Sequence, residues 1–240
     1  MVAKAVVFVF DGTIATLNLD RMTIKAEVKS HLTKMGIPAS ILSANESMFD
    51  MLKKTEIFLK NSGKSDRLMS KIRKEISNLA EQHELEAAKT TSLLPGICEV
   101  LTTLKKMHLR IGLFTTHSQK TTEYILKRFG LSKLFDVVTP REKVKNVKPN
   151  PEHLETTLKA LHVKPEAVML ISNDRQDVIS GRELNVIVVG LPTGLSSEKE
   201  LTIAGANYLI SSISDVPRLI ENINRSSRPK RKTSKKRLED

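Results

Sequence analysis

Residues 4–10 (KAVVFVF) are, after Lys4, an unbroken run of apolar, β-branched and aromatic side chains. Such a run, with no polar alternation, predicts a strand buried on both faces, as in a parallel sheet. Shorter runs of the same character recur at 110–114, 167–172, 186–189 and 208–210. Between them the apolar positions take helical spacing. Pro95-Gly96 opens a helix that reaches Lys106, and 121–129 is a second, ended by Gly130. Pro151 begins a third, with Leu154, Leu158 and Leu161 on one face; proline is favourable at a first helical position. Strands alternating with helices predict an α/β fold with a parallel sheet covered on both faces.

Residues 18–92 break this rhythm and hold no convincing strand. Leu32 to Pro38 reads as a helix end with Gly36 as the stop. Ser43 and Glu46 have capping-box spacing ahead of Met48, Met51 and Leu52. Asn61-Ser62-Gly63 is a turn. Ser65 is expected to cap a long helix with Leu68, Ile72, Ile76, Leu79 and His83 on its inner stripe. Met48, Met51 and Met69 read as core positions, with one of them a candidate to face a ligand. Lys53, Lys54, Lys60 and Lys64 read as a solvated face. The expected organisation is a Rossmann-like core from residues 1–17 and 93–224, an inserted all-helical cap at 18–92, and a tail at 225–240.

The charge sharpens that last boundary. The chain of 240 residues carries a net +12, and residues 225–240 hold eight Lys/Arg against two acids, half of that excess. A segment so polar cannot bury enough surface to offset its ordering entropy, so disorder is expected there. Its basic runs point to nucleic acid, an acidic partner, a localisation signal or simple solubility. No aromatic residue is interleaved, which argues against stacking on single strands. No apolar run approaches the ~18 residues of a membrane span. The first strand lacks a small-residue cleavage site, so a leader peptide is not expected. The single cysteine, Cys98, excludes an internal disulfide framework and falls on an apolar helical stripe. A cytoplasmic location, with no membrane partner, is the expectation.

Open parallel sheets bind ligands at the carboxyl ends of their strands. Here those ends carry four polar clusters: Asp11-Gly12-Thr13, Thr115-Thr116-His117-Ser118, Lys148-Pro149-Asn150-Pro151-Glu152, and Asn173-Asp174-Arg175-Gln176-Asp177. In this order they resemble the four motifs of the haloacid dehalogenase (HAD) superfamily. KAVVFVFDGTI resembles its first motif, usually FDxDGT, and FTT the second. KPNPE resembles the third, and LISNDRQDV the fourth, usually VGDSxxD. The stretch VVGLPTGLSSEKELTIAGANYLISSISDVPRLI resembles the end of the phosphoglycolate phosphatase-like branch. The resemblance covers residues 1–224.

In active members of that superfamily the first aspartate attacks phosphorus, and the second protonates the leaving oxygen and later activates water. Magnesium bridges the first aspartate and an acid of the fourth motif. The resemblance therefore implies Asp11 as acid/base, Thr115 as a phosphoryl-oxygen donor, Lys148 as a phosphate clamp and Asp177 as a metal ligand. It places Gly12, Thr13 and Thr116 around the phosphate as well. Asn173 stands where an acid is usual, and Asp174 is a weak substitute ligand. Val9 stands at the nucleophile's position. It has no attacking atom, and loss of a nucleophile costs on the order of 10⁶ in turnover elsewhere.

Three readings follow. The first is a phosphatase-like protein with hydrolysis of phosphate monoesters lost or weakened, keeping a phosphate-sized anion pocket for a small phosphorylated metabolite. The second is an active magnesium-dependent phosphatase that uses Asp11, with Thr13 following it as in P-type ATPases. The third is a non-enzymatic protein that acts through its basic tail. His117 is either a ligand contact or a solvated loop histidine.

Overall fold

The computed structural model describes residues 2–64 and 66–226. Its centre is a six-stranded parallel sheet. The strands are β1 (Ala5–Phe8), β4 (Arg110–Phe114), β5 (Val137–Thr139), β6 (Val168–Ser172), β7 (Ile187–Gly190) and β8 (Tyr208–Leu209), in the order β5-β4-β1-β6-β7-β8. β1 lies in the middle, with Ala5 opposite both Arg110 and Val168. Successive side chains of a strand point to opposite faces. Val6, Phe8 and Phe10 therefore enter one apolar layer, with α4 (Ile97–Lys106), α5 (Gln119–Arg128) and α9 (Val216–Ser226). Ala5, Val7 and Val9 enter the other, with α6 (Pro151–Leu161), α7 (Arg175–Glu183) and α8 (Glu198–Ala204). Burial on both faces is the physical reason that 4–10 lacks alternation.

Three helices, α1 (Arg21–Lys34), α2 (Met48–Asn61) and α3 (Asp66–Thr90), stand between β1 and β4. They close over their own apolar cluster, which includes Ile24, Val28, Leu32, Met51, Leu59, Ile72 and Ile76. At their base β2 (Ala15–Thr16) pairs antiparallel with β3 (Ser92–Leu93).

Several local expectations need correction. Regular strand ends at Phe8, although Val9 and Phe10 remain buried. β5 was not anticipated; it is three residues long, half-exposed and at the sheet edge. The cap of α2 is a Ser47–Asp50 box, not Ser43 with Glu46. Glu46 accepts instead from the Ser43 N–H at 2.8 Å within the preceding turn. Ser65 lies outside the described residues. The buried stripe of α3 is Met69, Ile72, Ile76, Ala80, Glu84 and Ala88. Leu68, Leu79 and His83 flank it, half-buried. α9 runs through Ser226, two residues into the stretch read as tail. The remainder of that stretch, with its nucleic-acid and acidic-partner readings, lies outside the described residues. Among the described residues no helix is long and apolar enough to cross a membrane.

Candidate active site

The turn after β1 is built around Gly12. Its φ is +72°, a conformation that glycine adopts without steric cost. A Cβ there would lie 2.0 Å from Asn173 Nδ2, so the position also requires the smallest residue. The turn closes on itself. The Gly12 N–H donates to the Ala15 carbonyl at 2.9 Å and the Thr13 N–H to the Phe10 carbonyl at 3.4 Å. The buried Thr13 hydroxyl donates to the Val9 carbonyl. These groups were expected around a phosphate; in the structure they are used to hold the turn.

Val9 is 1% exposed and packs with Val7, Phe114 and Leu154. Its side chain belongs to the core layer. Asp11 by contrast is partly exposed. Its Oδ2 accepts from Arg21 Nη2 at 2.9 Å, and His117 Nε2 lies 3.0 Å from each carboxylate oxygen. Burial alone would raise the Asp11 pKa, but His117, Arg21 and Lys148 lower it to about 2. An acid held so low is a poor proton donor near neutrality.

His117 is 3% exposed, not a solvated loop residue. Its Nδ1 lies 3.6 Å from Glu84 Oε1, so two carboxylates bracket the ring. Burial opposes its charge, yet Asp11 and Glu84 raise its pKa to about 9. The chain of charges continues. Arg141 Nη1 donates to Glu84 Oε1 and, at 3.1 Å, to the Thr116 carbonyl. Arg141 Nη2 donates to the Ser77 carbonyl at 3.0 Å. The Ser118 N–H donates to Glu84 Oε2 at 2.9 Å. Thr115 is buried and its Oγ1 accepts from the His117 N–H at 3.2 Å, which fixes the loop. Arg21, Ser77 and Glu84 come from the three-helix insert, and Asp11, His117 and Arg141 from the core loops.

A second polar cluster lies wholly within the core. Lys148 Nζ donates to Asp177 Oδ2 at 2.9 Å, and Ser172 Oγ donates to the same oxygen at 2.8 Å. Burial works against the Lys148 charge, but Asp177 outweighs it and the Lys148 pKa is raised. Asp174 caps α7 by accepting from the Gln176 N–H at 2.9 Å. Lys148 also borders a cleft of about 520 Å³ between insert and core, together with Met48, Phe49, Lys53, Arg73 and Arg141. Met48 is thus the insert methionine that faces the cleft, while Met51 and Met69 are buried.

The donor set does not suit magnesium. That ion requires several hard oxygen ligands in near-octahedral array. Val9 offers none, and Asn173 offers a neutral amide oxygen. Asp177 already faces an ammonium group. Asn173 Oδ1 and Asp177 Oδ1 are buried without a hydrogen-bond partner, but only one of them belongs to an acid. Among the described residues no cluster of three or more His, Cys, Asp or Glu side chains is arranged for a metal.

Sequence reasoning named Asp11, Thr115, Lys148, Asn173 and Asp177, and the structure gathers them at one end of the sheet. It did not find Arg21, Glu84 or Arg141. Glu84 left a trace, since it continues the apolar series Ile76, Ala80 on α3, where a charge is out of place.

Comparisons with known proteins bear on the family and the fold. The profile of the haloacid dehalogenase-like hydrolases matches residues 6–191. Pyrophosphatase PpaX of Bacillus mycoides (strain KBAB4) is 30% identical over 128 residues, 53% of this chain and 60% of that protein. PpaX of Bacillus cereus (strain B4264) is 28% identical over 130 residues, 54% of this chain and 60% of that protein. The chain thus spans about 60% of the length of these curated relatives. The structure of β-phosphoglucomutase from Clostridium difficile superposes with a TM-score of 0.63 at 21% identity, covering 93% of this chain and 98% of that one. CbbY from Rhodobacter sphaeroides, solved with phosphate, gives a TM-score of 0.60 at 19% identity, covering 89% and 96%.

Proposed function

Because the chain belongs to the haloacid dehalogenase-like hydrolase family, we propose that it is a phosphatase-like protein that binds a small phosphorylated molecule and has lost, or nearly lost, its hydrolysis. The observation that carries this reading is Val9. It is sealed into the core at the family's nucleophile position, while three cations, Arg21, His117 and Lys148, still act on Asp11 next to it. Positive groups fixed in a water-poor site favour a phosphate group whether or not a nucleophile is present. Phosphatases of this family generally use magnesium, and the donors of this chain do not fit it, so no step here is assigned to a metal.

The test is phosphate release from a panel of small phosphate esters with magnesium, with Asp11→Asn as the contaminant control. The expected result is no release above that control, with orthophosphate raising the melting temperature and magnesium alone leaving it unchanged. Turnover that disappears in Asp11→Asn would instead establish a working enzyme. A sharper form adds Val9→Asp with Asn173→Asp, which is expected to create magnesium-dependent release. A folded, magnesium-binding double variant without turnover would overturn the assignment of both positions.

A further inference from the structure

Asp11 has the surroundings of a bound anion. Arg21 Nη2 meets one oxygen at 2.9 Å, and His117 Nε2 lies 3.0 Å from both. Charge-assisted contacts of this kind are the ones that recognise phosphate. A cavity of about 110 Å³ opens beside them, lined at its polar side by Arg21, Lys25, Thr116, His117 and the carboxylate of Glu84, and at its apolar side by Met48 and Phe49. Of the groups expected to hold an anion, the Gly12 and Thr13 N–H groups are bonded within their own turn, and Lys148 is paired with Asp177. Arg21 and His117 are the cations that border this cavity together with Lys25.

We infer that Arg21 and His117 are the anion-recognition pair of this site, and that Asp11 occupies the pair as an internal oxyanion which a free phosphate group must displace. The inference rests on the reading of the site as a phosphate binder. A phosphate group at contact distance from both Arg21 and His117 would lie against the Asp11 carboxylate, and like charges that close disfavour one another. A recognition pair that is already occupied lowers the apparent affinity by its free fraction. Glu84, from α3, keeps His117 placed and cationic from the far side of the ring, with Arg141 behind it. The pair draws one member from the insert and one from the core, so only the docked insert completes it.

The test is calorimetric titration of the full chain with orthophosphate at pH 6, where an ordinary histidine is still largely protonated. Four proteins are compared: wild type, Asp11→Asn, Arg21→Gln and the double variant. Asp11→Asn is expected to bind phosphate about tenfold more tightly or better. The double variant should lose that gain. Unchanged or weaker binding by Asp11→Asn overturns the inference, as does a double variant that keeps the gain. Arg21 is half-exposed, so its substitution is expected to leave the fold intact. If Asp11→Asn does not fold, Arg21→Gln alone decides. Binding about tenfold weaker than wild type supports the pair, and unchanged binding rejects it. Failure of all four proteins to bind phosphate would sink the phosphate-binder reading itself. Wild-type binding without a gain in Asp11→Asn would sink only the internal-anion assignment.

Discussion

His117 and His153 make a natural comparison. Both are buried, at 3% and 0% exposure, and both meet a phenylalanine edge-on: Phe10 at 5.5 Å and Phe114 at 5.2 Å between ring centroids. Their chemistry is opposite. His117 stands between Asp11 and Glu84 and is raised to about 9. His153 is lowered to about 4, because burial disfavours its charge and Lys148 lies nearby, while its Nε2 has only the Thr139 carbonyl at 3.0 Å. Apolar packing is thus the common background, and the neighbouring carboxylates decide the charge. The same contrast separates two regions. Around His153 the polar contacts lie within the core. Around His117 they cross from the core to the insert and depend on its position.

Breaking the core-only region should have the largest effect. Lys148→Met leaves the fully buried Asp177 without its cation and should cost about 3–5 kcal/mol in urea unfolding. The same variant should let the His153 pKa rise, seen by NMR titration, because a nearby positive charge is gone. Breaking the crossing region at Glu84 should cost less. Glu84→Gln should lose about 2–3 kcal/mol, since a buried acceptor of charged and backbone donors is weakened. In that variant the His117 pKa should fall from about 9, an effect that a purely local packing defect would not produce.

The two histidines also predict the pH profile. His153 is depressed, so its contribution is complete above its ordinary 6.5 and is lost as pH falls through about 4. His117 is raised, so its contribution is complete below 6.5 and is lost as pH rises through about 9. Stability measured by urea unfolding should therefore peak near pH 6.5. A flat profile from pH 6.5 to 9 would show that His117 is not bracketed as described. The smallest effect belongs to Arg21→Gln. Its partner contact is half-exposed, and its loss should change stability by less than about 1 kcal/mol, whatever it does to phosphate affinity.

The core was legible because its signals are local. Val6, Val7 and Phe8 announce a two-faced strand without reference to anything else in the chain, and Pro151 announces a helix start. β5 was missed because Val137–Thr139 is too short and too exposed to stand out from a loop. The α2 cap was placed four residues early because Ser43 and Glu46 do bond each other, in a turn instead of a helix. At the site, Asp11, Lys148 and Asp177 were legible through their motifs. Glu84 and Arg141 were not, because their meaning is their mutual pairing across 57 residues. The motif-based reading of Gly12 and Thr13 also named the right turn but not the destination of its donors.

The short β2–β3 ribbon has a mechanical consequence. The chain enters and leaves the insert through two adjacent backbones, with Leu94 N–H held to the Ile14 carbonyl at 2.9 Å and Gly12 N–H to the Ala15 carbonyl at 2.9 Å. Two tethers so close together suit a hinge, because a rotation about them changes few backbone angles whereas a slide strains both. The Asp11 turn is fastened to the hinge itself. A swing that lifts α1 and α3 withdraws Arg21 and Glu84 in one stroke, so Asp11 and His117 lose their outer partners together. The Arg141 contact to the Ser77 carbonyl would part in the same motion.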